Sequence, residues 1–222
     1  MVEISMKELE EVGYIKLNIP GMIEEDLIAI SEQIGIPIKT RLGANVIDRL
    51  SPKEKKDAHK NSLSGNHGLN SFPIHTDTAY FKIPARYILL YSVNPGSGGR
   101  PTLLYDANKF FNYDKELRFE LTNVLYKVVN GRYSFLTTIY NYYQSNYYFR
   151  LDRDCMKATS SVGNELLTKI DSIIYPRDLN EVIWNCGDLL IFDNWRILHG
   201  RGQSNVIDND RVLLRISIKE RQ

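Results

Sequence analysis

The chain has 222 residues, of which 43% are hydrophobic, 25% charged and 11% aromatic, a composition ordinary for one globular domain. Its 28 basic and 27 acidic side chains give a net charge of +1, so no general attraction to nucleic acid or to an anionic membrane is indicated. No apolar stretch reaches the roughly 18 residues that a membrane-spanning helix needs, and the acidic N-terminal residues are unlike a secretory signal.

Near the N-terminus, helix and strand signals alternate. Ser5 is a typical N-cap residue and predicts a first helix that ends at Gly13. Alternating apolar residues over 14–19 predict a half-buried strand, and helical spacing over 22–34 predicts a second helix. The polar, glycine-containing stretch 62–71 is expected to be a loop.

After residue 71 the sequence changes to short apolar runs separated by turn residues. Strands are predicted at 74–80, 86–93, 102–106, 133–140, 147–151, 182–184, 189–192 and 211–218. Helical periodicity interrupts them at about 109–129 and 162–174. Many short strands with few helices indicate a mainly β fold with flanking helices, built as a sandwich or a barrel-like sheet.

The two cysteines, Cys155 and Cys186, are not spaced like zinc ligands. A disulfide between them is the alternative to the favoured interpretation, two buried free thiols in a reducing compartment. We therefore expect a cytoplasmic protein with one domain over 1–222, in which an N-terminal segment, 1–70, packs on a core formed by 71–222.

Histidines are the first candidates for a metal site, and the chain has four. His59 lies in a lysine-rich run and is expected on the surface, whereas His67 lies in a glycine-flanked loop with no evident partner. His75 begins the tripeptide His-Thr-Asp inside a strand-like segment. Because residues i and i+2 of a strand project from one face, the His75 imidazole and the Asp77 carboxylate would enter the same space.

A His-x-Asp tripeptide alone is a weak signal, since a histidine beside a carboxylate is common in sheets. However, the sequence WNCGDLLIFDN leads into WRILHGR and supplies His199 after a long gap, as two strands meeting at one metal would require. Two imidazoles and one carboxylate, with other positions open, are the ligands of non-haem iron(II) oxygenases. The sequence therefore predicts an iron(II) site formed by His75, Asp77 and His199.

Two arginines are candidates for an anion site. Arg211 and Arg215 lie four residues apart in a predicted strand, so their side chains would share a face. Inward-facing arginines are costly unless they meet anions, and a guanidinium matches a carboxylate in shape and charge. The alternative is that one or both pair with Asp or Glu, or face solvent.

Four sequence blocks resemble the taurine dioxygenase and gamma-butyrobetaine hydroxylase group of 2-oxoglutarate oxygenases, also called clavaminate synthase-like. In chain order they are FPIHTDTAYFKIPARYILLYSV, GSGGRPTLLYD, GDLLIFDNWRILHGR and DRVLLRISI. The resemblance implies a double-stranded β-helix, or jelly-roll, core with His75, Asp77 and His199 as the iron ligands. Asp77 also argues against a halogenase, because similar halogenases replace this carboxylate.

The resemblance extends to co-substrate and substrate residues. Arg211 matches the arginine that holds the C5 carboxylate of 2-oxoglutarate, and Thr102 matches the threonine that assists it. Arg215 matches a position that meets an anionic substrate group in several similar enzymes; the two arginines exchange roles if the register differs. Asn70 is a candidate for a substrate contact at the pocket mouth, with a simple turn role as the alternative.

The resemblance thus implies a dioxygenase that uses Fe(II), 2-oxoglutarate and O2. It would couple oxidative decarboxylation of 2-oxoglutarate to C–H hydroxylation of a small, anionic, amino-acid-like substrate, with desaturation or ring formation as other outcomes. Because the insert between the iron-ligand blocks is modest, a carrier-bound or macromolecular substrate remains open. A catalytically silent jelly-roll binding protein is the further alternative. No nucleic-acid or membrane partner is expected.

Overall fold

The computed structural model describes residues 2–58, 63–113, 115–131, 133–204, 206 and 208–221. His59, predicted to lie on the surface, falls outside these residues. The α-helices are α1 (Met6–Val12), α2 (Glu24–Ile34), α3 (Leu63–His67), α4 (Lys115–Asn123) and α5 (Ser161–Ile173). Short 3₁₀ helices cover Lys55–Asp57, Ala107–Asn112 and Pro176–Asp178.

The rest of the regular secondary structure among the described residues consists of strands. They are β1 (Tyr14–Asn18), β2 (Ile36–Ile38), β3 (Ile47–Leu50), β4 (Phe72–His75), β5 (Tyr87–Asn94), β6 (Thr102–Asp106), β7 (Tyr126–Asn130), β8 (Tyr133–Thr137), β9 (Tyr140–Tyr143), β10 (Asn146–Phe149), β11 (Met156–Ala158), β12 (Asn180–Val182), β13 (Asp188–Asp193), β14 (Ile197–Arg201) and β15 (Val212–Lys219).

Two antiparallel sheets form the core of the fold. The larger runs β1-β13-β5-β15-β2, with β3 also paired to β15, and the smaller runs β12-β6-β14-β4. A three-stranded sheet β11-β7-β8 and the hairpin β9-β10 come from the insert between β6 and β12. Many non-consecutive neighbours mean that the chain crosses repeatedly between the sheets, as in a jelly roll.

Successive side chains of a strand point to opposite faces of its sheet, and the buried apolar side chains form three layers. Between the sheets, Leu90 and Leu213 of the larger sheet pack with Leu104 of the smaller. The outer face of the larger sheet, including Leu214 and Ile216, packs with α1 and α2. The outer face of the smaller sheet is covered by the insert, with α4 and α5. Odd-numbered positions of β15 therefore face the interior between the sheets.

The first helix, the first strand and the second helix predicted from the sequence are confirmed as α1, β1 and α2. The Ser5 hydroxyl accepts a hydrogen bond from the Glu8 N–H at 3.2 Å and caps α1. Gly13 ends this helix with φ of 91°, a left-handed conformation that glycine adopts without steric cost. The segment 1–70 then contributes β1, β2 and β3 to the larger sheet.

Other predicted elements are wrong in part. The predicted loop 62–71 contains α3, and the predicted helix 109–129 is divided into a 3₁₀ helix, α4 and strand β7. β7 is a strand because both its edges are paired, with β8 and β11. Such tertiary pairing overrides local helical spacing.

Both cysteines are free. Cys155 is half-buried, whereas Cys186 is exposed, so the expectation that both are buried is wrong for Cys186. Among the described residues, no helix has the length and apolar character needed to cross a membrane.

Candidate metal centre and anion pocket

The side chains of His75, Asp77 and His199 meet in the interior between the two sheets. His75 ends β4, and His199 lies directly opposite it on the neighbouring strand β14. Potential ligand atoms of the three residues all lie within 4.8 Å of one another, and the two imidazole ring centres are 4.4 Å apart. All three side chains are buried. The structure therefore brings together the three residues predicted to bind iron.

Asp77 reaches this position differently from the prediction. The strand predicted over 74–80 ends at His75, and Asp77 lies in the turn that follows. The Asp77 N–H donates to the side-chain oxygen of Asn194 at 2.8 Å, and the Asn194 amide donates back to the Asp77 carbonyl at 3.1 Å and to that of Ala85 at 2.8 Å. Asn194, which the sequence did not single out, thus fixes the turn that carries the carboxylate.

Hydrogen bonding and burial set the protonation of the ligands. The Nδ1 atom of His75 lies 3.1 Å from the Pro73 carbonyl oxygen, so we assign it the proton, which leaves Nε2 as a lone-pair donor. Burial, together with His75, lowers the pKa of His199 to about 3 and keeps it neutral. Burial alone would raise the pKa of Asp77, but the charge of Arg215, with its hydrogen bonds, opposes burial and that pKa is lowered. Two imidazoles and one carboxylate fit the preferences of iron(II).

Arg215 is bound on both sides by carboxylates. Its Nη1 lies 2.8 Å from each carboxylate oxygen of Asp77, and its Nη2 donates to Asp48 Oδ2 at 2.9 Å. The predicted alternative, pairing with acidic residues, is therefore what the structure shows for Arg215. Its substrate role stays a prediction.

Arg211 differs from Arg215 because no described residue accepts a hydrogen bond from it. Its side chain is only 6% exposed, and its Nε is buried without a partner. Burial and the neighbouring Arg100 lower the pKa of Arg211 to about 10, against an opposing effect of Asp208. A buried guanidinium without an acceptor is costly unless an anion enters. Arg211 is therefore a candidate anion-binding residue.

Thr102 lies on β6, directly opposite Arg201 on β14. It is buried, and its hydroxyl oxygen accepts a hydrogen bond from the Trp184 indole N–H at 3.0 Å. Arg201 donates to the carbonyl oxygens of Gly68 and Asn70 and lies over the Phe72 ring. Burial, with Arg100 and Arg211 nearby, lowers the pKa of Arg201 to about 9. Thr102 and Arg211 therefore both have Arg201 as a neighbour.

Two further predictions concern residues at the edge of this region. Asn70 is exposed, and its carbonyl oxygen accepts from Arg201. Its proposed substrate contact stays a prediction. His67 was expected to lack a partner, but its Nε2 lies 3.2 Å from Asp154 Oδ2. His67 is therefore not one of the grouped candidate metal ligands; it pairs with Asp154 of the insert.

No protein-family model matches the sequence, and no curated protein matches it. Solved structures do match the fold. Asparagine oxygenase in complex with Fe(II), 2S,3S-3-hydroxyasparagine and succinate superposes with a TM-score of 0.73 at 13% identity, covering 93% of this chain and 74% of that one. The non-heme iron oxygenase OrfP with Fe, succinate and (3S)-hydroxy-L-Arg gives 0.74 at 16% identity, covering 97% and 80%.

AAD-2 in complex with Mn(II) and N-oxalylglycine also matches, with a TM-score of 0.75 at 16% identity, covering 97% of this chain and 87% of that one. At such identities the similarity concerns the course of the backbone. The mainly β architecture and jelly-roll fold predicted from the sequence are thereby confirmed. The chain has the fold of these non-heme iron oxygenases.

Proposed function

We propose that this chain is an Fe(II)- and 2-oxoglutarate-dependent dioxygenase that hydroxylates a C–H bond of a small, amino-acid-like substrate. The observation that carries the proposal is the buried cluster of His75, Asp77 and His199. Arg211, a buried guanidinium without an acceptor, supports it, because it lies close to Arg201 on the strand that carries His199. The activity would reside in one domain, 1–222. A cytoplasmic location is part of the proposal and is supported by the two free cysteines.

The residues present fit the proposed metal and co-substrate. His75, Asp77 and His199 would hold Fe(II), and Thr102 with Arg211 would hold the far carboxylate of 2-oxoglutarate. When bound, the metal with 2-oxoglutarate and O2 supplies the oxidising power for C–H cleavage. The protein's own contribution is orientation: Asn194 fixes the Asp77 turn, and the Pro73 carbonyl fixes the His75 ring.

The structural comparisons support the reaction class and the type of substrate. Asparagine oxygenase and OrfP were crystallised with iron, succinate and a hydroxylated amino acid. Succinate is what remains when 2-oxoglutarate loses carbon dioxide and gains one oxygen atom. N-oxalylglycine, bound to AAD-2, differs from 2-oxoglutarate by one NH in place of CH2. We carry these chemistries over to this chain as the proposal.

Arg215 and Asn70 are the proposed substrate contacts. Nη1 and Nη2 of Arg215 are used by Asp77 and Asp48, whereas its Nε is buried without a partner. Nε is therefore the guanidinium nitrogen left for a carboxylate or sulfonate of the substrate. Asn70 is exposed and would contact the substrate only at the rim of the site.

The test measures succinate release by purified protein supplied with Fe(II), 2-oxoglutarate and a panel of amino acids and small sulfonates. We expect slow release without substrate and faster release with the right one, detected together with a product heavier by one oxygen. His75→Ala and Asp77→Ala should abolish release, whereas His67→Ala should retain it, since His67 pairs with Asp154. Normal turnover by either ligand variant would refute the metal assignment.

A further inference from the structure

The carboxylate of Asp48 is held by three side chains. Asp48 is buried on β3, directly opposite Arg215 on β15. Its Oδ2 accepts from the Thr40 hydroxyl at 2.9 Å and from Arg215 Nη2 at 2.9 Å, and its Oδ1 accepts from Arg41 Nη2 at 3.1 Å. This carboxylate therefore has a fixed position and orientation.

Arg215 links Asp48 to Asp77, one of the three candidate metal ligands. Its two terminal nitrogens bind different carboxylates, Nη2 that of Asp48 and Nη1 both oxygens of Asp77 at 2.8 Å. A guanidinium is planar and rigid, so fixing one terminal nitrogen restricts where the other can lie. A continuous set of contacts thus runs from Thr40 through Asp48 and Arg215 to Asp77.

The orientation of Asp77 matters for metal binding. A carboxylate that rotates freely can present one oxygen, both, or neither to an ion between the histidines. The backbone of Asp77 is held by Asn194, but the described residue that holds its carboxylate oxygens by hydrogen bonds is Arg215. Hydrogen-bond partners of ligating groups generally change metal affinity about 10- to 100-fold when mutated.

We propose that Asp48 is a positioning residue of the metal centre: by holding Arg215 Nη2, it keeps Nη1 on the two carboxylate oxygens of Asp77. This inference rests on the proposed function, because it requires that Asp77 bind a metal. The simpler role, in which Asp48 only neutralises a buried arginine, would stabilise the fold without affecting metal affinity.

The experiment measures Mn(II) binding to metal-free protein by the electron paramagnetic resonance signal of free Mn(II), with thermal unfolding recorded for each variant. Asp48→Asn should weaken Mn(II) binding about 10-fold, at unchanged stoichiometry. Asp48→Glu should restore part of the affinity. The matched control is Asp106→Asn, because Asp106 also pairs with an arginine, Arg196, at 2.6 Å, outside the metal cluster. It should bind Mn(II) like the wild type.

Thr40→Val provides a milder variant that keeps every charge and removes one hydrogen bond to Asp48. It should weaken Mn(II) binding by a smaller factor than Asp48→Asn, and it decides the question if Asp48→Asn does not fold. Thr40→Val with wild-type affinity would then overturn the positioning role. So would a folded Asp48→Asn protein that melts earlier but binds Mn(II) like the wild type.

The metal site itself is tested by outcomes that do not depend on the Asp48 variants. Wild-type binding of Mn(II) that is lost in His75→Ala supports the metal site whatever Asp48→Asn does. If the wild-type chain binds no Mn(II), both the proposed function and the positioning role of Asp48 are overturned.

Discussion

The indole N–H of Trp184 donates to the hydroxyl oxygen of Thr102 across 3.0 Å, and both side chains are buried. A hydroxyl has one proton to donate and lone pairs to accept. Since Trp184 occupies the oxygen as a donor, the Thr102 proton is left for an acceptor elsewhere. Thr102 is thereby prepared to donate to an anion, which under the proposed function is the far carboxylate of 2-oxoglutarate.

Replacing Thr102 by valine removes this donor while nearly preserving volume. We expect the apparent KM for 2-oxoglutarate to rise about 10-fold, roughly the value of one hydrogen bond to a charged group. Thr102→Ser should stay near the wild type, because it keeps the hydroxyl. Succinate release at varied 2-oxoglutarate concentration measures the apparent KM of both variants. Equal KM values for the valine variant and the wild type would remove Thr102 from the co-substrate site.

Arg211 should matter more, since it supplies a full charge in a buried setting. Arg211→Ala should weaken binding of N-oxalylglycine to the Mn(II)-loaded protein by about 30-fold or more, from the roughly 2–5 kcal/mol lost when a buried charged partner is truncated. Isothermal titration calorimetry measures the affinity for N-oxalylglycine. Arg196→Ala, which breaks the pair with Asp106, should leave this affinity unchanged. If Arg215→Ala weakens binding and Arg211→Ala does not, the two assignments must be exchanged.

The elements predicted well are those with purely local signals. Ser5 and Gly13 delimit α1 as expected, and β6 spans the predicted 102–106. The predicted strand 211–218 is observed as β15 from Val212, so Arg211 lies just before the strand, and the register shift between Val212 and Leu213 interrupts the regular alternation that would put it on the same face as Arg215. His199 was the harder case, because no local pattern pairs it with His75; the long sequence gap and the motif resemblance together indicated that the two would meet.

The residues that the sequence missed depend on register between distant strands. Asp48 has no local signal for its link to the metal ligands, since Arg215 is far away in the chain and meets it only through pairing of β3 with β15. Strands β2 and β3 are short and were not predicted, as their stability comes from β15 rather than from their own pattern. Asn194, the last residue of the block WNCGDLLIFDN, likewise has no local signal for its contact with Asp77.

The two thiols should differ in reactivity in the native protein. Cys186 is exposed, whereas burial, reinforced by Asp152, raises the pKa of the half-buried Cys155. Since the thiolate is the reactive form, Cys155 should stay unmodified until the chain unfolds. Titration with a disulfide reagent should show one fast thiol per chain, and Cys186→Ser should remove this fast phase. Two fast thiols in the native wild type would contradict the burial of Cys155.

Asp193 provides a pH-dependent contribution to stability. It is largely buried, and its nearest cation, Arg86, lies 4.0 Å away and also pairs with Glu220. Burial therefore raises the pKa of Asp193 to about 6, with Arg86 only partly opposing it. In the unfolded chain the same carboxyl group has a pKa near 4. The folded state thus binds the Asp193 proton more tightly than the unfolded state does.

It follows that this group stabilises the fold fully below about pH 4 and loses that contribution as pH rises through about 6. Asp193→Asn removes the titrating carboxyl group. It keeps a side-chain oxygen that can accept from the Trp195 backbone N–H, which donates to Asp193 at 2.9 Å. Relative to the wild type, the variant should gain up to about 3 kcal/mol between pH 4 and pH 7, the equivalent of two pKa units. Urea unfolding at both pH values measures this difference. A difference that does not change with pH would show that the pKa of Asp193 is the same in the folded and unfolded chain, and a change in the opposite direction would show that folding lowers it.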